Sequence, residues 1–392
     1  MDRNEIVKSF MSAGYQLGMD ALQYFEANPE AVREFLALAP GKLEKPFVGR
    51  QDVDRIFSSM SPKVRVIGSY LRKKRDLGTG EMADMFAKRY EKASEILSKK
   101  SELVNLLSIN RIRPENKAFS IIAMVREVSP GDRSLVVEDP TGSTTVFISD
   151  ALEGEFGYLV EDEVVGIVCD NEDFSENRAI KIVYPDIPLQ VRAPAADKDV
   201  TCMFISDIHM DDGAFMRYNF EKLGEYLKKI KEDTVVFVLG DISSREEDTE
   251  EFLKIFPENI KVMVLRGHLD EEKGAQLPDP VMVEVSGVKI LMSHGSMFQR
   301  YKEKFKASAE NTLLQMLKKR HLSPTFDQTS NLDDEKMFLS QVPDIAVVGH
   351  FHEPSSMNYK GTTIISLGSF VGNPVFWSVN LRTREAKKID FN

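Results

Sequence analysis

Five apolar runs in the second half of the chain each end in residues that can bind a metal ion. The runs cover 202–206, 235–239, 262–266, 288–293 and 345–348. They are followed, in chain order, by Asp207 and His209, by Gly240 and Asp241, by Gly267, His268, Leu269 and Asp270, by His294 and Gly295, and by Gly349, His350 and His352. Strands that alternate with helical stretches predict an α/β sandwich from 200 to 392. Because ligands gather at the carboxyl ends of strands in such sheets, we expect these side chains to converge.

The histidines of the chain are concentrated at these junctions. The chain contains six histidines, and all but His321 fall there. A lone histidine is usually a packed side chain, but packing does not explain five such junctions in series. Imidazole and carboxylate ligands together suit Mn, Zn or Fe better than Mg or Ca. Two such ions about 3.5–4 Å apart can clamp a phosphate, so the series predicts a two-metal hydrolytic site with Asp241 as the bridging carboxylate.

The first half of the chain predicts three further units, which makes the whole a multidomain α+β protein. Residues 1–57 have helical periodicity and predict a helical interaction module. Residues 58–104 predict a basic linker, which includes the charged run 72–75, followed by a helix. Between 105 and 190 the period changes to two, and five short runs separated by turns predict a small barrel of the OB type. The barrel has few aromatic residues for stacking bases, which favours a docking role.

Composition excludes several classes of protein. The formal net charge of −11 argues against a protein that coats nucleic acid through bulk electrostatics, although it leaves room for a local basic groove. Two cysteines, Cys169 and Cys202, cannot form a disulfide scaffold. No run approaches the ~18 apolar residues of a membrane span, and the charged N-terminal segment does not read as a secretory signal. We therefore expect a cytoplasmic protein with no membrane partner.

The five junctions, taken in order, resemble the motifs of the calcineurin-like metallophosphoesterases, which read D-x-H, G-D, G-N-H-D, H and G-H-x-H. The resemblance runs from about 200 to 370. It implies that one divalent metal is held by Asp207, His209, Asp241 and His352. It implies that a second is held by Asp241, the residue at position 268, His294 and His350.

The third junction departs from the family motif. Aligned on its glycine and aspartate, the motif's asparagine becomes His268 and its catalytic histidine becomes Leu269. Either His268 binds the second metal, or it takes the catalytic role beside Asp270 and leaves that metal one ligand short. In both cases the activity is affected, because the loss of a general acid typically costs ~10²–10⁴ in rate.

A barrel placed directly before such a domain resembles the B-subunit family of replicative DNA polymerases, to which the small subunits of archaeal family-D polymerases belong. The segments 184–188, 316–324 and 342–345 also resemble that family. This resemblance covers about 81 to 392. It implies a heterodimer with a large catalytic polymerase chain, and a two-metal 3′–5′ exonuclease that acts on single-stranded or 3′-end DNA.

Four basic residues are candidate DNA contacts, namely Arg300, Lys318, Lys319 and Arg320. A solvated helix face explains them equally well. Two other functions stay open at this point: a catalytically inactive subunit that docks the large chain, and a stand-alone metallophosphodiesterase. The barrel and the helical module argue against the latter, because a soluble substrate requires neither.

Overall fold

A computed structural model of the protein describes residues 1–29, 31–41, 43, 46–58, 62–70, 78–171, 176–191, 194–230, 233–268, 277–327, 334–371 and 374–391. The predicted basic run 72–75, Leu269 and Asp270 lie outside the described residues. The helices within these ranges are α1 (Arg3–Ser12), α2 (Met19–Ala27), α3 (Ala31–Leu38), α4 (Arg50–Ser58), α5 (Thr79–Leu97), α6 (Glu153–Phe156), α7 (Arg217–Lys228), α8 (Glu246–Leu253), α9 (Gln299–Phe305), α10 (Ala309–Lys319) and α11 (Asp334–Met337). None of these described helices is both long and apolar enough to cross a membrane.

The strands within the same ranges are β1 (Gln16–Leu17), β2 (Phe47–Val48), β3 (Val64–Ser69), β4 (Ala118–Ser129), β5 (Ser134–Asp139), β6 (Gly142–Ile148), β7 (Val164–Asp170), β8 (Arg178–Val183), β9 (Val200–Ile205), β10 (Asp233–Leu239), β11 (Lys261–Leu265), β12 (Val281–Val285), β13 (Val288–Ser293), β14 (Ile345–Val348), β15 (Ser355–Tyr359), β16 (Thr362–Ser366), β17 (Val375–Asn380) and β18 (Ala386–Asp390).

Helices α1 to α4 form a unit with its own apolar core. Phe10, Phe25 and Phe35 are fully buried there, and their ring centroids lie between 4.9 and 5.6 Å apart. Asp2 caps α1 reciprocally: its side chain accepts the Glu5 N–H at 2.9 Å, and the Glu5 side chain accepts the Asp2 N–H at 2.9 Å. The short strands β1 and β2 pair in parallel within this unit.

Strands β4 to β8 close into a five-stranded barrel in the order β4-β5-β6-β8-β7. Alternate residues of a strand point to opposite faces. In β4, Ile121 and Ala123 therefore fill the barrel, whereas Ile122 and Met124 pack against α5. Because both faces of β4 are covered, its apolar run is nearly continuous, and α5 forms part of the barrel's outer wall.

Two sheets pack face to face, and all of their strands except β3 come from the C-terminal half of the chain. One has the order β11-β10-β9-β17-β18 and the other the order β15-β16-β14-β13-β12-β3. Phe204 and Phe237 of the first sheet and Ile290 of the second lie in the core between them. Helices α7 and α8 cover the outer face of the first sheet, and α10 covers that of the second. Strands β9, β10 and β11 are parallel, as are β13 and β14, so the carboxyl ends within each set lie at one edge.

Strand β3 corrects one prediction. It lies within the segment predicted as a basic linker, yet it pairs with β12 in an antiparallel register and forms an edge of the second sheet. Val64 packs against the core between the sheets, and Ile67 packs against the face that α10 covers. The register shifts once, between Met282 and Val283 of β12. A strand of six residues that owes its place to a partner more than two hundred residues away carries little local signal.

Buried ion pairs join the barrel and α5 to the sandwich. Lys319, the last residue of α10, donates to Glu163 Oε2 beside the barrel at 2.7 Å, and both side chains are almost fully buried. Arg89 of α5 pairs with Asp334, the first residue of α11. His321 Nε2 lies 3.7 Å from Asp334 Oδ1. We call these five residues the seam. Because removing one partner of a buried pair leaves the other charge uncompensated, the ion pairs of the seam are satisfied only while the two units stay docked.

Candidate metal centre

The structure brings all seven predicted metal-binding side chains together at the ends of the strands. We call them the rim: Asp207, His209, Asp241, His268, His294, His350 and His352. They form two groups, Asp241 with His268, His294 and His350, and Asp207 with His209 and His352. Within each group, one ligand atom per residue lies within 4.8 Å of every other. The groups adjoin, because the His209 N–H donates to the Asp241 carbonyl at 3.1 Å and the His350 N–H donates to Asp207 Oδ2 at 2.9 Å.

Most rim residues have a left-handed backbone conformation. The φ angles of Asp207, His209, Asp241, His350 and His352 lie between 48° and 69°. Such angles cost residues other than glycine on the order of 1–3 kcal/mol and persist only where the surrounding structure holds them. Each of these residues follows a strand end closely, where the chain turns sharply. Strain concentrated in this way is typical of functional sites.

Glycines let the rim loops approach one another. A Cβ atom at Gly267 would lie 2.1 Å from Asp241 Oδ1, and one at Gly349 would lie 2.2 Å from Ser206 Oγ. Both distances are far inside van der Waals contact, so only glycine fits at these positions. The glycines that precede the third and fifth groups of predicted ligands are therefore required by packing between the loops.

Asp207 is oriented by its neighbours. It is fully buried, and its Oδ2 accepts the Ser206 hydroxyl at 2.5 Å and the His350 N–H at 2.9 Å. Its Oδ1 faces His352 Nε2 at 3.3 Å and His209 Nε2 at 3.7 Å. Burial works to raise the pKa of Asp207, but the neighbouring His209 and His352 outweigh it and hold that pKa well below its usual range. Asp207 is thus a carboxylate with one oxygen anchored and the other directed at the imidazoles.

His294 is held in one tautomer. Its Nδ1 lies 2.8 Å from the Leu239 carbonyl and donates to it, so Nε2 is the nitrogen that can bind a metal ion once the ring is neutral. That Nε2 lies 3.3 Å from Asp241 Oδ2. Burial disfavours the imidazolium, but the carboxylates of Asp241, Asp207 and Asp279 outweigh it and raise the pKa of His294 to about 9. The pocket around His294 therefore stabilises positive charge.

The donor set of the rim fits divalent cations. Asp207 Oδ1 is buried and accepts no hydrogen bond from the described residues. His268 Nδ1 lies 2.9 Å from Asp241 Oδ2. Carboxylate oxygens that face imidazole nitrogens across such short distances are the ligands that Mn, Zn and Fe take in proteins. Two adjoining positions of this kind can act together on a phosphate ester.

The position of His268 suits a ligand. The sequence left two roles open for this residue, and its partner in the catalytic alternative, Asp270, lies outside the described residues. His268 Nδ1 lies 3.2 Å from His294 Nε2, and its ring centroid lies 5.1 Å from that of His350. The imidazole thus points into the group that contains Asp241.

The four candidate DNA contacts differ in their exposure to solvent. Lys319 is buried in the seam, and Arg320 is buried with its guanidinium donating to the Ser340 carbonyl at 3.2 Å. Neither can reach a DNA phosphate, because the end of α10 packs under the barrel, so the prediction fails for these two. Arg300 and Lys318 are partly exposed; the Arg300 side chain donates to Ser323 Oγ at 2.9 Å.

Sequence reasoning missed the residues that orient the rim. Ser206 anchors Asp207, as described above, and Asp279 Oδ1 accepts the His294 N–H at 3.0 Å. Asp211 Oδ2 accepts the Ser244 N–H at 3.1 Å and so links the loops that follow β9 and β10. Only Asp211 carried a signal, since it stands two residues after His209 in the first motif. A serine inside an apolar run and an aspartate before a proline are common elsewhere.

Fold and rim together define a phosphoesterase-type domain, and the comparison with protein families agrees. Residues 201–378 match the calcineurin-like phosphoesterase superfamily domain. This match spans every rim residue, so the resemblance of the motifs and the geometry of the side chains point to the same class of protein.

Curated relatives extend the similarity to most of the chain. A DNA polymerase II small subunit from Thermoplasma acidophilum is 25% identical over 93% of this chain and 86% of its own length. Proteins of the same name from Methanothermobacter thermautotrophicus and Archaeoglobus fulgidus are 26% and 24% identical, each over 78% of this chain and over 76% and 72% of their own lengths. Over most of its length, the chain is therefore similar to archaeal DNA polymerase II small subunits.

Proposed function

We propose that this chain acts as the small subunit of a heterodimeric replicative DNA polymerase, and that its rim is a 3′–5′ exonuclease that removes mispaired 3′ ends. One observation carries the proposal. Seven metal-binding side chains converge at the strand ends of a phosphoesterase-type sandwich, in a chain related over most of its length to polymerase small subunits.

Two divalent cations of the Mn, Zn or Fe class are the cofactors in this proposal. Asp207, His209 and His352 hold one, and His268, His294 and His350 hold the other. Asp241 belongs to the second group and adjoins the first, and we assign it to both cations. When bound, such cations supply Lewis acidity to a phosphodiester and make water a better nucleophile near neutral pH.

The chain's own groups prepare the rim for that chemistry. The Ser206 hydroxyl and the His350 N–H hold Asp207 with Oδ1 directed inward. The Leu239 carbonyl fixes the tautomer of His294. His268 and His352 have side chains 46% and 45% exposed, so the rim is open to solvent on their side. The end of a DNA strand can enter there, while Asp207, Asp241 and His294 stay buried beneath it.

We also propose roles for the units outside the sandwich. The barrel within 105–190 is assigned to the OB type and to docking of the large polymerase chain. Leu106 and Ile180 are exposed apolar residues of this unit, and they support a protein contact there. The helical unit within 1–57 is assigned to protein interaction, and the complex to the cytoplasm.

The test is nuclease activity of the purified complex with the large chain. With Mn²⁺ present, it is expected to shorten a labelled strand with a mispaired 3′ end. Asp241→Asn removes the carboxylate that serves both groups and is expected to abolish the shortening. Asp199→Asn is the matched control, since that carboxylate is 58% exposed and lies directly before the start of β9, whereas the rim follows the carboxyl ends of the strands. Retained activity in Asp241→Asn would refute the assignment of the rim.

One observation favours a second function. Leu269 stands where the motif of the family has its catalytic histidine, and an aliphatic side chain cannot donate a proton. The chain would then dock the large subunit without hydrolysing DNA. Leu269→His is expected to raise the nuclease rate by roughly 10²–10⁴ if only the proton donor is missing. A complex that assembles but stays inert, with and without this substitution, establishes the docking function instead.

A further inference from the structure

The two groups of the rim differ in ligand chemistry. The group of Asp241 offers three imidazoles with one carboxylate. The group of Asp207 offers two imidazoles with its own carboxylate, and it adjoins Asp241 through the His209 N–H, which donates to the Asp241 main-chain carbonyl at 3.1 Å. The difference is due to His268, which supplies a nitrogen where the family motif supplies the oxygen of an asparagine.

His268 is placed to act as a full member of its group. Its Nδ1 lies 2.9 Å from Asp241 Oδ2 and 3.2 Å from His294 Nε2, so the nitrogen faces the shared carboxylate rather than solvent. The rings of His268, His294 and His350 lie within 5.1–5.4 Å of one another. Three imidazoles from three separate loops therefore surround one point beside Asp241.

Ligand type determines which ions such a group prefers. Imidazole nitrogens suit Zn²⁺ and its neighbours, whereas carboxylates and carbonyls suit Mn²⁺ and Mg²⁺. A group with three nitrogens and one oxygen is also the composition of a typical zinc site. A group richer in carboxylate discriminates less strongly in favour of Zn²⁺.

We propose that the two metal positions are unequal, and that the position built by Asp241, His268, His294 and His350 binds Zn²⁺-class ions more tightly and fills first. The position built by Asp207, His209 and His352 fills second. His268 sets this order. The inference rests on the proposed function only in requiring that the rim binds metal ions.

The experiment is calorimetric titration of the metal-free 392-residue chain with Zn²⁺ and, separately, with Mn²⁺. Zn²⁺ is expected to bind in two classes. His268→Asn is expected to weaken the tighter class at least roughly tenfold and to leave the weaker class within about threefold. His209→Asn is the matched control, because it makes the same exchange in the other group and is expected to weaken the weaker class. For Mn²⁺, His268→Asn is expected to cost less, since an amide oxygen suits that ion.

Thermal unfolding of each metal-free variant shows whether it is folded, and the half-exposed side chain of His268 tolerates replacement. One class of equal Zn²⁺ sites, a loss confined to the weaker class, or equal losses for Zn²⁺ and Mn²⁺ would overturn the inference while leaving the nuclease proposal intact. A wild-type chain that binds neither ion would overturn both.

Discussion

The rim and the seam both bury carboxylates, but they balance the charge differently. In the seam, Glu163 is paired with Lys319 and Asp334 with Arg89, so fixed cations lie beside the acids. In the rim, Asp207 and Asp241 face imidazoles, which carry positive charge only when protonated. A carboxylate paired with a lysine or an arginine is already neutralised, so its role is structural. A carboxylate facing imidazoles lies beside groups that can release their protons and then direct lone pairs at an added cation, which is the arrangement that binds one.

The largest expected effect on folding comes from breaking the seam. Lys319→Met leaves Glu163 buried without its partner and is expected to lower the free energy of unfolding by about 3–5 kcal/mol. Urea denaturation of the metal-free chain measures this loss. The metal affinity of the folded protein is expected to stay unchanged, because the seam shares no ligand with the rim.

The control for this prediction is the double variant Lys319→Met with Glu163→Leu. Replacing both charges with apolar groups removes the uncompensated carboxylate, so most of the lost free energy of unfolding should return. A double variant as unstable as the single one would mean that packing at the end of α10, rather than charge, holds the seam together.

A smaller effect is expected when the rim loses an orienting group. Ser206→Ala removes the hydroxyl that anchors Asp207 Oδ2 and is expected to weaken Zn²⁺ binding roughly 10–100-fold. Calorimetric titration measures the change. Ser369→Ala is the matched control, since the Ser369 hydroxyl donates to the Asp207 main-chain carbonyl at 2.9 Å and not to the carboxylate. Equal losses in both variants would show that the loop, and not the orientation of the carboxylate, limits binding.

The seam also predicts a dependence of stability on pH. Burial and the nearby Arg89 lower the pKa of His321 below its ordinary 6.5, and the Ser323 N–H donates to His321 Nδ1 at 3.1 Å. The folded protein therefore holds His321 neutral, whereas the unfolded chain takes up a proton below about pH 6.5. The contribution of His321 to stability is present above pH 6.5 and is lost as the pH falls.

The measurement is the free energy of unfolding at pH 7.5 and pH 5.5 for the wild type and for His321→Gln. The amide oxygen of glutamine can still accept the Ser323 N–H but does not titrate in this range. The variant is expected to lose less stability than the wild type over this interval. If both lose the same amount, other groups cause the dependence of the free energy of unfolding on pH, and the neutral state of His321 is refuted.

The same contrast explains what could be predicted from the sequence. Each rim residue follows its strand directly, so strand order and residue type were enough to expect that Asp207 and His352 would meet. The seam depends on contacts between units: Lys319 is an ordinary exposed helix end by its local pattern, and only docking of the barrel buries it. Strand β3 could not be predicted for the same reason, because its pairing partner β12 is distant in sequence. Ser206 was hidden because its role is set by a single hydrogen bond.

The smallest expected effect concerns the helical unit at the N-terminus. Its ion pair with the sandwich is exposed, which allows a comparison with the buried pairs of the seam. Arg50 of α4 pairs with Glu258 of the sandwich at 2.5 Å, but the Glu258 side chain is 68% exposed. Glu258→Gln is the cleaner probe, because Arg50 also stacks on Tyr24 within its own unit, with its guanidinium 4.4 Å from the ring centroid. The free energy of unfolding is expected to change by less than about 1 kcal/mol, as for other exposed pairs. A loss of unfolding free energy as large as that of Lys319→Met would mean that solvent exposure does not determine how much an ion pair contributes to stability. The distinction between buried and exposed ion pairs in this chain would then be wrong.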